Sequence, residues 1–442
     1  MQLILTGSIS ELLVRLAAPN ILATGAMTAV IFADVYYVGQ LGTKALASLA
    51  IVFPFQTLMG MMSNGAIGGG VASSIVRSLG SNDAGDAESA AWHALVIGAV
   101  GAVIYTVVLG VFARPMLGLL IDSGDVLDGA VSYAYIVFGG AAVMWTTYML
   151  SAILRGIGAM GITANAVIGA SIIHVFLAGA LTLGWGPFPE VGLNGPAIAM
   201  VVSHALALAY LSTQVFRGTE RLNLKRYPIS IERLKDIMQV GGLGLINSSG
   251  LVLTVIVVTA FVGRFGEEAL AGYGLGSRLE LTLVPLAFGV GGALVTTVGG
   301  NFGAGQFGRA RKIAWTGAGV TFGVTMTLGV LISVVPEIWL DLFTTEPEVF
   351  NVGALYLGIA ALTYGVFAGG QTLYFASQGT GNMVIPVVIT YTRFAVVAGF
   401  GMGALWFDWS LETVFTGVAI GLAVVGLGQI LNVALSRSWN PE

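Results

Sequence analysis

Ionisable side chains occur inside long apolar runs of this sequence, where charge is costly. Five stand out: Asp34, His174, Arg278, Glu280 and Arg393. A charge at the centre of a bilayer costs about 2.5–3.5 kcal/mol on insertion scales, so such residues mark ion pathways or paired sites. Carboxylates and imidazoles take up and release protons, whereas arginine keeps its charge. These residue types can therefore bind cations, move protons or form buried ion pairs.

Asp34 ends a stretch that carries no other charge after Arg15. It precedes Gly39, the predicted end of the first span, by five residues, or about 7.5 Å along a helix. We predict a cation or proton site here; the alternative is a carboxylate hydrated from outside. His174 lies about 18 Å into the fifth predicted span. It either lines the same cavity as Asp34 or is a neutral histidine bonded to a backbone carbonyl.

A second group of charges lies in the later half of the chain. Glu280 and Arg393 are each about 15 Å inside their predicted spans. Arg278 and Glu280 are two positions apart and do not share a helix face, so we expect Glu280 to meet Arg393 while Arg278 finds another acceptor. A stabilising ion network is favoured because buried charges are normally paired. The alternative is a second cation site.

Other chemistries have weak signals. Cysteine is absent, which excludes disulfides and thiolate chemistry. The stretch "GIGAMG" (156–161) fits the dinucleotide pattern but follows an apolar helix instead of a strand. The Gly-rich stretch 299–312 lacks the GKS or GKT of a P-loop. The histidines lack metal-ligand spacing, and no long basic run suits nucleic acid. We predict no metal, no cofactor, no nucleic-acid partner and no enzymatic activity.

The elements that must position these charges are membrane-spanning helices. The chain is 56% hydrophobic and 9% charged, with a mean hydropathy of +0.90, whereas soluble domains carry about 25% charged residues. A helical span needs about 20 apolar residues. The sequence predicts an all-α integral membrane protein with twelve transmembrane helices, at 14–39, 45–75, 89–113, 130–153, 162–184, 192–216, 237–262, 269–299, 310–335, 351–377, 383–407 and 412–436.

The basic residues predict the orientation of the chain. If the N-terminus is cytoplasmic, thirteen Lys and Arg residues fall on the cytoplasmic side and three fall outside. Cytoplasmic loops carry the excess of Lys and Arg. We therefore expect a multi-pass protein of the cytoplasmic (inner) membrane with both termini in the cytoplasm.

The chain contains an internal repeat. "VGQLGTKALASLA" (38–50) matches "VGRFGEEALAGYG" (262–274) at an offset of 224, and the glycines of "RGIGAMGI" (155–162) match those of "SQGTGNMVI" (377–385) at an offset of 223. An even number of spans separates the copies, so they run parallel, as in some transporters. We predict an N-terminal lobe over 1–216, a cytoplasmic linker over 217–236 and a C-terminal lobe over 237–442. Each lobe has six helices, and they face a central cleft.

Several stretches resemble the multidrug and toxic compound extrusion (MATE) family. They are "PNILATGAMTAVIFADVYYVGQLGTKALA", "LRGIG", "GLNGPAIAM", "VGRFGEEALAGYGLGSRLE", "GNFGAGQFGRA" and "YFASQGTGN". They cover nearly the whole chain in the order and spacing of the family. The resemblance implies a V-shaped pair of lobes. It also implies an antiporter that exports bulky, often cationic, drug-like compounds by alternating access.

The resemblance also implies roles for particular residues. Asp34 matches the acidic residue of the first span, and Pro19 matches the proline where that span bends. Members with a fuller cation site show Asn and Asp where this chain has His174 and Ala178, so protons are favoured over sodium as the coupling ion. The predicted substrate cavity combines polar, aromatic and adaptable Met side chains: Tyr37, Gln56, Met62, Asn64, Trp145 and Tyr148.

Two other functions stay open. A flippase of a lipid or lipid-linked saccharide is the main alternative, and it would need basic residues facing the cavity in both lobes. Only Arg278 and Arg393 are predicted to be deep, both in the second lobe. A membrane enzyme would need a catalytic constellation, and none is evident. The expected partners are protons (or sodium), organic substrates and the bilayer, with no obligate protein partner. The sequence does not identify the substrate.

Overall fold

The fold is almost entirely helical. The computed structural model describes residues 2–119, 124–216, 224–436 and 439, among which there is no strand. Eleven helical segments are long and apolar enough to cross a membrane, and a bent pair of helices, Asp125–Gly139 and Ala141–Gly156, makes a twelfth span. The pair meets at 46° and covers the predicted span 130–153. The prediction of a twelve-span all-α membrane protein is confirmed.

Eighteen α-helices lie in the described part of the chain. In chain order they are α1 (Gln2–Thr6), α2 (Ile9–Gly39), α3 (Thr43–Gly60), α4 (Gly68–Gly80), α5 (Ala84–Tyr105), α6 (Ala113–Leu117), α7 (Asp125–Gly139), α8 (Ala141–Gly156), α9 (Met160–Leu183), α10 (Asn194–Phe216), α11 (Ile231–Val262), α12 (Glu267–Gly303), α13 (Phe307–Val334), α14 (Glu337–Leu340), α15 (Pro347–Ala360), α16 (Tyr364–Thr380), α17 (Val384–Trp406) and α18 (Leu411–Leu435). Two π-helical segments interrupt this pattern. Met61–Ile67 joins α3 to α4, and Thr106–Val111 follows α5.

The chain forms two compact units. Unit 1 contains residues 22–241, and unit 2 contains residues 2–21 together with 242 onward. Both boundaries fall inside continuous helices, α2 and α11. Each unit therefore includes the beginning of a helix that continues in the other. The predicted lobes over 1–216 and 237–442 stay a prediction.

Small residues bring helices together within each unit. In unit 1, a Cβ at Gly101 would lie 2.6 Å from the Trp145 ring, and one at Gly98 would lie 2.6 Å from Met149. In unit 2, a Cβ at Gly370 would lie 2.4 Å from the backbone of Gly426. Glycine is common at such contacts in membrane proteins because it lets helices approach closely.

The beginning of α11 is anchored in unit 1 by charged side chains. Arg77 bonds Asp236 at 2.7 Å, and Arg233 forms an ion pair with Asp86. Just before α11, Tyr227 donates to a carboxylate oxygen of Glu88 at 2.8 Å, and this bond raises the pKa of the Tyr227 hydroxyl. These contacts fix the end of the predicted linker to unit 1.

The beginning of the chain is anchored in unit 2 in a different way. The buried Asn301 donates from Nδ2 to the carbonyl of Ile4 at 2.9 Å, and Arg309 donates to the carbonyl of Gly7 at 2.5 Å. The Ile4 carbonyl lies near the C-terminal end of α1, where the last carbonyls have no partner within the helix, and Gly7 directly follows α1. The N-terminal segment is thereby held in unit 2 by backbone bonds instead of ion pairs.

Candidate functional site

The centre of the candidate site is a contact between Asp34 and His174. Nε2 of His174 lies 2.8 Å from Oδ1 of Asp34, and the residues are 2% and 7% exposed. When Asp34 is ionised, the imidazole donates this hydrogen bond; when Asp34 is protonated, the carboxylic acid donates to the imidazole. The contact therefore survives transfer of a proton from one side chain to the other. The structure brings together two residues that the sequence placed on separate spans.

Polar side chains from other helices surround this pair. The buried Tyr133 of α7 lies within electrostatic range of Asp34, and its hydroxyl is 3.5 Å from Oε1 of Gln56. Gln56 in turn donates from Nε2 to the sulfur of Met200 at 3.2 Å. The candidate site thus extends from α2 and α9 to α3, α7 and α10.

A second histidine lies close to the pair. His204, on α10, is within electrostatic range of His174. Its Nδ1 is 2.9 Å from the carbonyl oxygen of Met200, which can only accept, so Nδ1 carries the hydrogen. Nε2 then accepts from the hydroxyl of Tyr148 at 3.3 Å. Both ring nitrogens of His204 therefore have partners.

The remaining predicted cavity residues have varied surroundings. Met62 accepts from the Tyr105 hydroxyl at 3.0 Å, and Asn64 binds the guanidinium of Arg155 at 2.6 Å. Trp145 is 3% exposed and packs within unit 1. Tyr37 is half-buried, with the ring of Trp185 centred 5.6 Å away. Contact with a substrate stays a prediction for all of them.

Unit 2 contains the other charged pair. Nη2 of Arg393 lies 3.7 Å from Oε1 of Glu280, with side-chain exposures of 6% and 19%. The Tyr356 hydroxyl lies 3.4 Å from the second oxygen of Glu280. The Arg393 guanidinium also lies 5.2 Å from the centre of the Phe367 ring, a cation–π distance. Arg278 is exposed on unit 2, and its part in an ion network stays a prediction.

Three residues of the site were not predicted from the sequence. Tyr133 and His204 join through tertiary packing, and their only signal was a polar side chain within an apolar span. Arg155 lies in the last turn of α8, and its guanidinium reaches Asn64 in the π-helical segment Met61–Ile67. Long arginine side chains extend several ångströms from their backbone, which positions along the sequence do not reveal.

The sequence is similar to a family of membrane proteins and to individual members that are named as transporters or as multidrug resistance proteins. The MatE family model matches residues 19–179 and 246–402. A FAD transporter of Shewanella oneidensis is 26% identical over 85% of this chain and 82% of its own length. A Thermotoga maritima protein named "Probable multidrug resistance protein NorM" is 25% identical over 87% of this chain and 85% of its own length.

Solved structures agree with the fold. One described as MATE in the straight conformation matches with a TM-score of 0.91 at 20% identity, covering 100% of this chain and 99% of that chain. Another, described as MATE in the bent conformation, matches with a TM-score of 0.89 at 20% identity, covering 99% and 98%. At this identity the likeness concerns the fold alone.

Proposed function

This chain belongs to the MatE family of membrane transporters, and we propose that it is a secondary antiporter that exports organic cations in exchange for protons. The contact between Asp34 and His174 carries this proposal, because it is a buried carboxylate whose partner also exchanges protons. A relative named for multidrug resistance supports drug-like substrates. Another relative is named as a FAD transporter, so the names of the relatives do not indicate whether the substrate is a cation or an anion. The buried carboxylate favours a cation.

Protons suit the site better than sodium. A hard cation such as sodium prefers several oxygen ligands. Here one carboxylate oxygen of Asp34 already faces an imidazole nitrogen at 2.8 Å, and Ala178 has no side-chain oxygen to offer. His174 is instead suited to holding a proton near neutral pH.

Antiport follows if the Asp34–His174 pair binds either a proton or an organic cation, but not both at the same time. With one proton fewer, the pair carries a negative charge that attracts the organic cation. Protonation from outside removes that charge, and the cation leaves. Release of the proton to the cytoplasm resets the site. The coupling is the difference between the two ligands' preferences for the two states.

We propose that α2 bends at Pro19 during transport. Proline removes a backbone donor and weakens the helix around it. Pro19 lies in the part of α2 that packs in unit 2, whereas Asp34 lies in the part that packs in unit 1. Bending between them moves Asp34 relative to the anchored beginning of α2. Relatives described as straight and as bent support such a motion.

The distribution of Lys and Arg supports a location in the cytoplasmic membrane with both termini inside. In unit 2, Glu280 and Arg393 are proposed to stabilise the fold, and Arg278 is proposed to meet another acceptor at the surface. The predicted cavity residues of unit 1 are proposed to contact the substrate.

Transport by purified protein in liposomes tests this function. A fluorescent organic cation is supplied while a proton gradient or a sodium gradient is imposed separately. We expect the proton gradient alone to drive accumulation of the cation against its own gradient, and an ionophore that collapses the gradient to stop it. Transport driven only by sodium would overturn the proposed coupling. Transport with neither gradient, or none at all, would overturn the antiport function.

A further inference from the structure

The two repeats differ by one residue within a matching helix. Gly42 and Gly266 precede the helices with φ values of +102° and +113°, and they lie 224 positions apart. Asn82 and Gly305 follow the helices with φ values of +62° and +72°, and they lie 223 positions apart. The helical segment of unit 1 accordingly has 38 residues, whereas α12 has 37. The first copy contains one additional residue between these points.

The π-helical segment Met61–Ile67 accounts for this residue. Its bonds run from i to i+5 instead of i+4, so a π turn holds one more residue than an α turn. Because the π-helical segment takes up the additional residue, α3 and α4 can present the same sides to their neighbours as two parts of one uninterrupted helix would. In unit 2 the corresponding α12 is α-helical throughout. Single π turns of this kind are frequent at functional sites.

Arg155 binds the π-helical segment at two points. Its Nη1 donates to Oδ1 of Asn64 at 2.6 Å, and its Nη2 donates to the Asn64 carbonyl at 3.1 Å. Gly68 leaves room for the guanidinium, since a Cβ there would lie 3.0 Å from Nη2. Two parallel bonds from a planar guanidinium fix geometry as well as supply energy.

The second repeat lacks this arginine. Gly158 and Gly381 have matching φ values of +85° and +87° at an offset of 223. The same offset aligns Arg155 with Gln378, a neutral amide. The π turn and the arginine that binds it therefore occur together in unit 1, and both are replaced in unit 2.

We infer that Arg155 is a positioning residue that determines substrate preference, an inference that rests on the proposed export of organic cations. By holding the π turn, Arg155 fixes the direction of Met61, Met62 and Asn64, all half-buried on unit 1. Gln56, two turns earlier on the same helical segment, belongs to the polar surroundings of Asp34. An α turn in place of the π turn would rotate side chains within the segment by up to about 100°. Methionine-rich surfaces adapt to varied ligands, so their direction influences which ligands fit.

Binding of two organic cations of different shape tests the inference. Equilibrium binding of planar ethidium and of globular tetraphenylphosphonium is measured for the wild type, Arg155→Lys and Arg155→Gln. Loss of one charge-assisted bond between Arg155 and Asn64 changes the equilibrium between the held and the released π turn by about 10-fold, which sets the scale of the effect on binding. We expect the ratio of the two dissociation constants to change by about that factor in Arg155→Gln, with a smaller change in Arg155→Lys. An equal loss for both cations would make Arg155 a general stabilising residue and overturn the inference.

A deletion tests the origin of the π turn. Removing Gly65 should convert the segment to an α-helix while the flanking faces stay in register, so the protein should fold with a similar melting temperature and an altered binding ratio. Deleting Val290 from the continuous α12 should instead prevent folding, because the rest of that helix rotates by about 100°. If both deletions unfold the protein equally, the single-residue account is wrong. If the wild type binds neither cation, the proposed function fails first and the inference fails with it.

Discussion

The charged pairs of the two units differ in whether their partners can lose a proton. In unit 1, Asp34 meets a histidine at 2.8 Å; in unit 2, Glu280 meets an arginine at 3.7 Å. Imidazole gains and loses its charge near neutral pH, whereas arginine stays protonated at any accessible pH. The first pair can therefore change its net charge during a transport cycle. The second pair holds a carboxylate beside a permanent cation.

This difference suggests that the charged pairs of the two units have different roles. A group that couples transport to protons must exist in two charge states of similar free energy. Asp34 and His174 offer two side chains, 2.8 Å apart, between which a proton can be shared. Glu280 instead meets a partner that keeps its charge, which suits a fixed contact between α12 and α17.

The largest effect is expected when the pair in unit 2 is broken. Glu280→Gln leaves the buried Arg393 without its carboxylate. We expect a loss of about 3 kcal/mol in unfolding free energy, at the lower end for buried pairs, because the separation is 3.7 Å and the Glu280 side chain keeps 19% exposure. Thermal melting of the purified protein measures the loss.

The matched control removes both charges. Glu280→Gln combined with Arg393→Gln should recover much of the lost stability, because no unpaired charge remains. The double variant should also retain proton-driven export. Full stability with lost transport in the single variant would mean that Glu280 takes part in coupling, and the two units would no longer differ.

An intermediate effect is expected at His174. His174→Gln places an amide N–H near the position of Nε2 and keeps a donor toward Asp34, but glutamine does not titrate. The first proton must then bind the carboxylate, which ordinarily takes up protons at more acidic pH than imidazole does. The pH midpoint of export should therefore move to more acidic pH.

His204→Gln is the control for this change. Its imidazole is held between the Met200 carbonyl and the Tyr148 hydroxyl, and we assign it no proton transfer. Its pH midpoint should match that of the wild type. Equal shifts for both histidine variants would contradict the assignment of the exchangeable proton to His174.

The smallest effect is expected at Tyr356. Tyr356→Phe removes a long hydrogen bond of 3.4 Å to Glu280 and leaves the ion pair in place. We expect about 1 kcal/mol or less in stability, the usual value of a single hydrogen bond. The pH profile of export should not change. A shifted profile would indicate that the charge state of Glu280 varies during transport.

The sequence predicted the spans well because each depends on a local apolar run. It also identified Asp34 and His174, since charge inside such a run is conspicuous. Their contact, and the arrival of Tyr133 and His204 beside them, depend on how α7, α9 and α10 pack. That packing is not encoded in any single span. The repeat offsets of 224 and 223 did contain the signal of the π turn, but its position became evident only from the backbone.

Proton-driven export by Asp34→Asn tests the central claim most directly. Asparagine can still accept a hydrogen bond from His174, so the variant should fold and melt near the wild-type temperature. Without the carboxylate, the pair never carries the negative charge that attracts the organic cation, and we expect accumulation of that cation in liposomes to be abolished. Asp125→Asn, which changes a carboxylate with 76% side-chain exposure in the same unit, should transport normally. Export by Asp34→Asn against a concentration gradient at the wild-type rate would contradict the account.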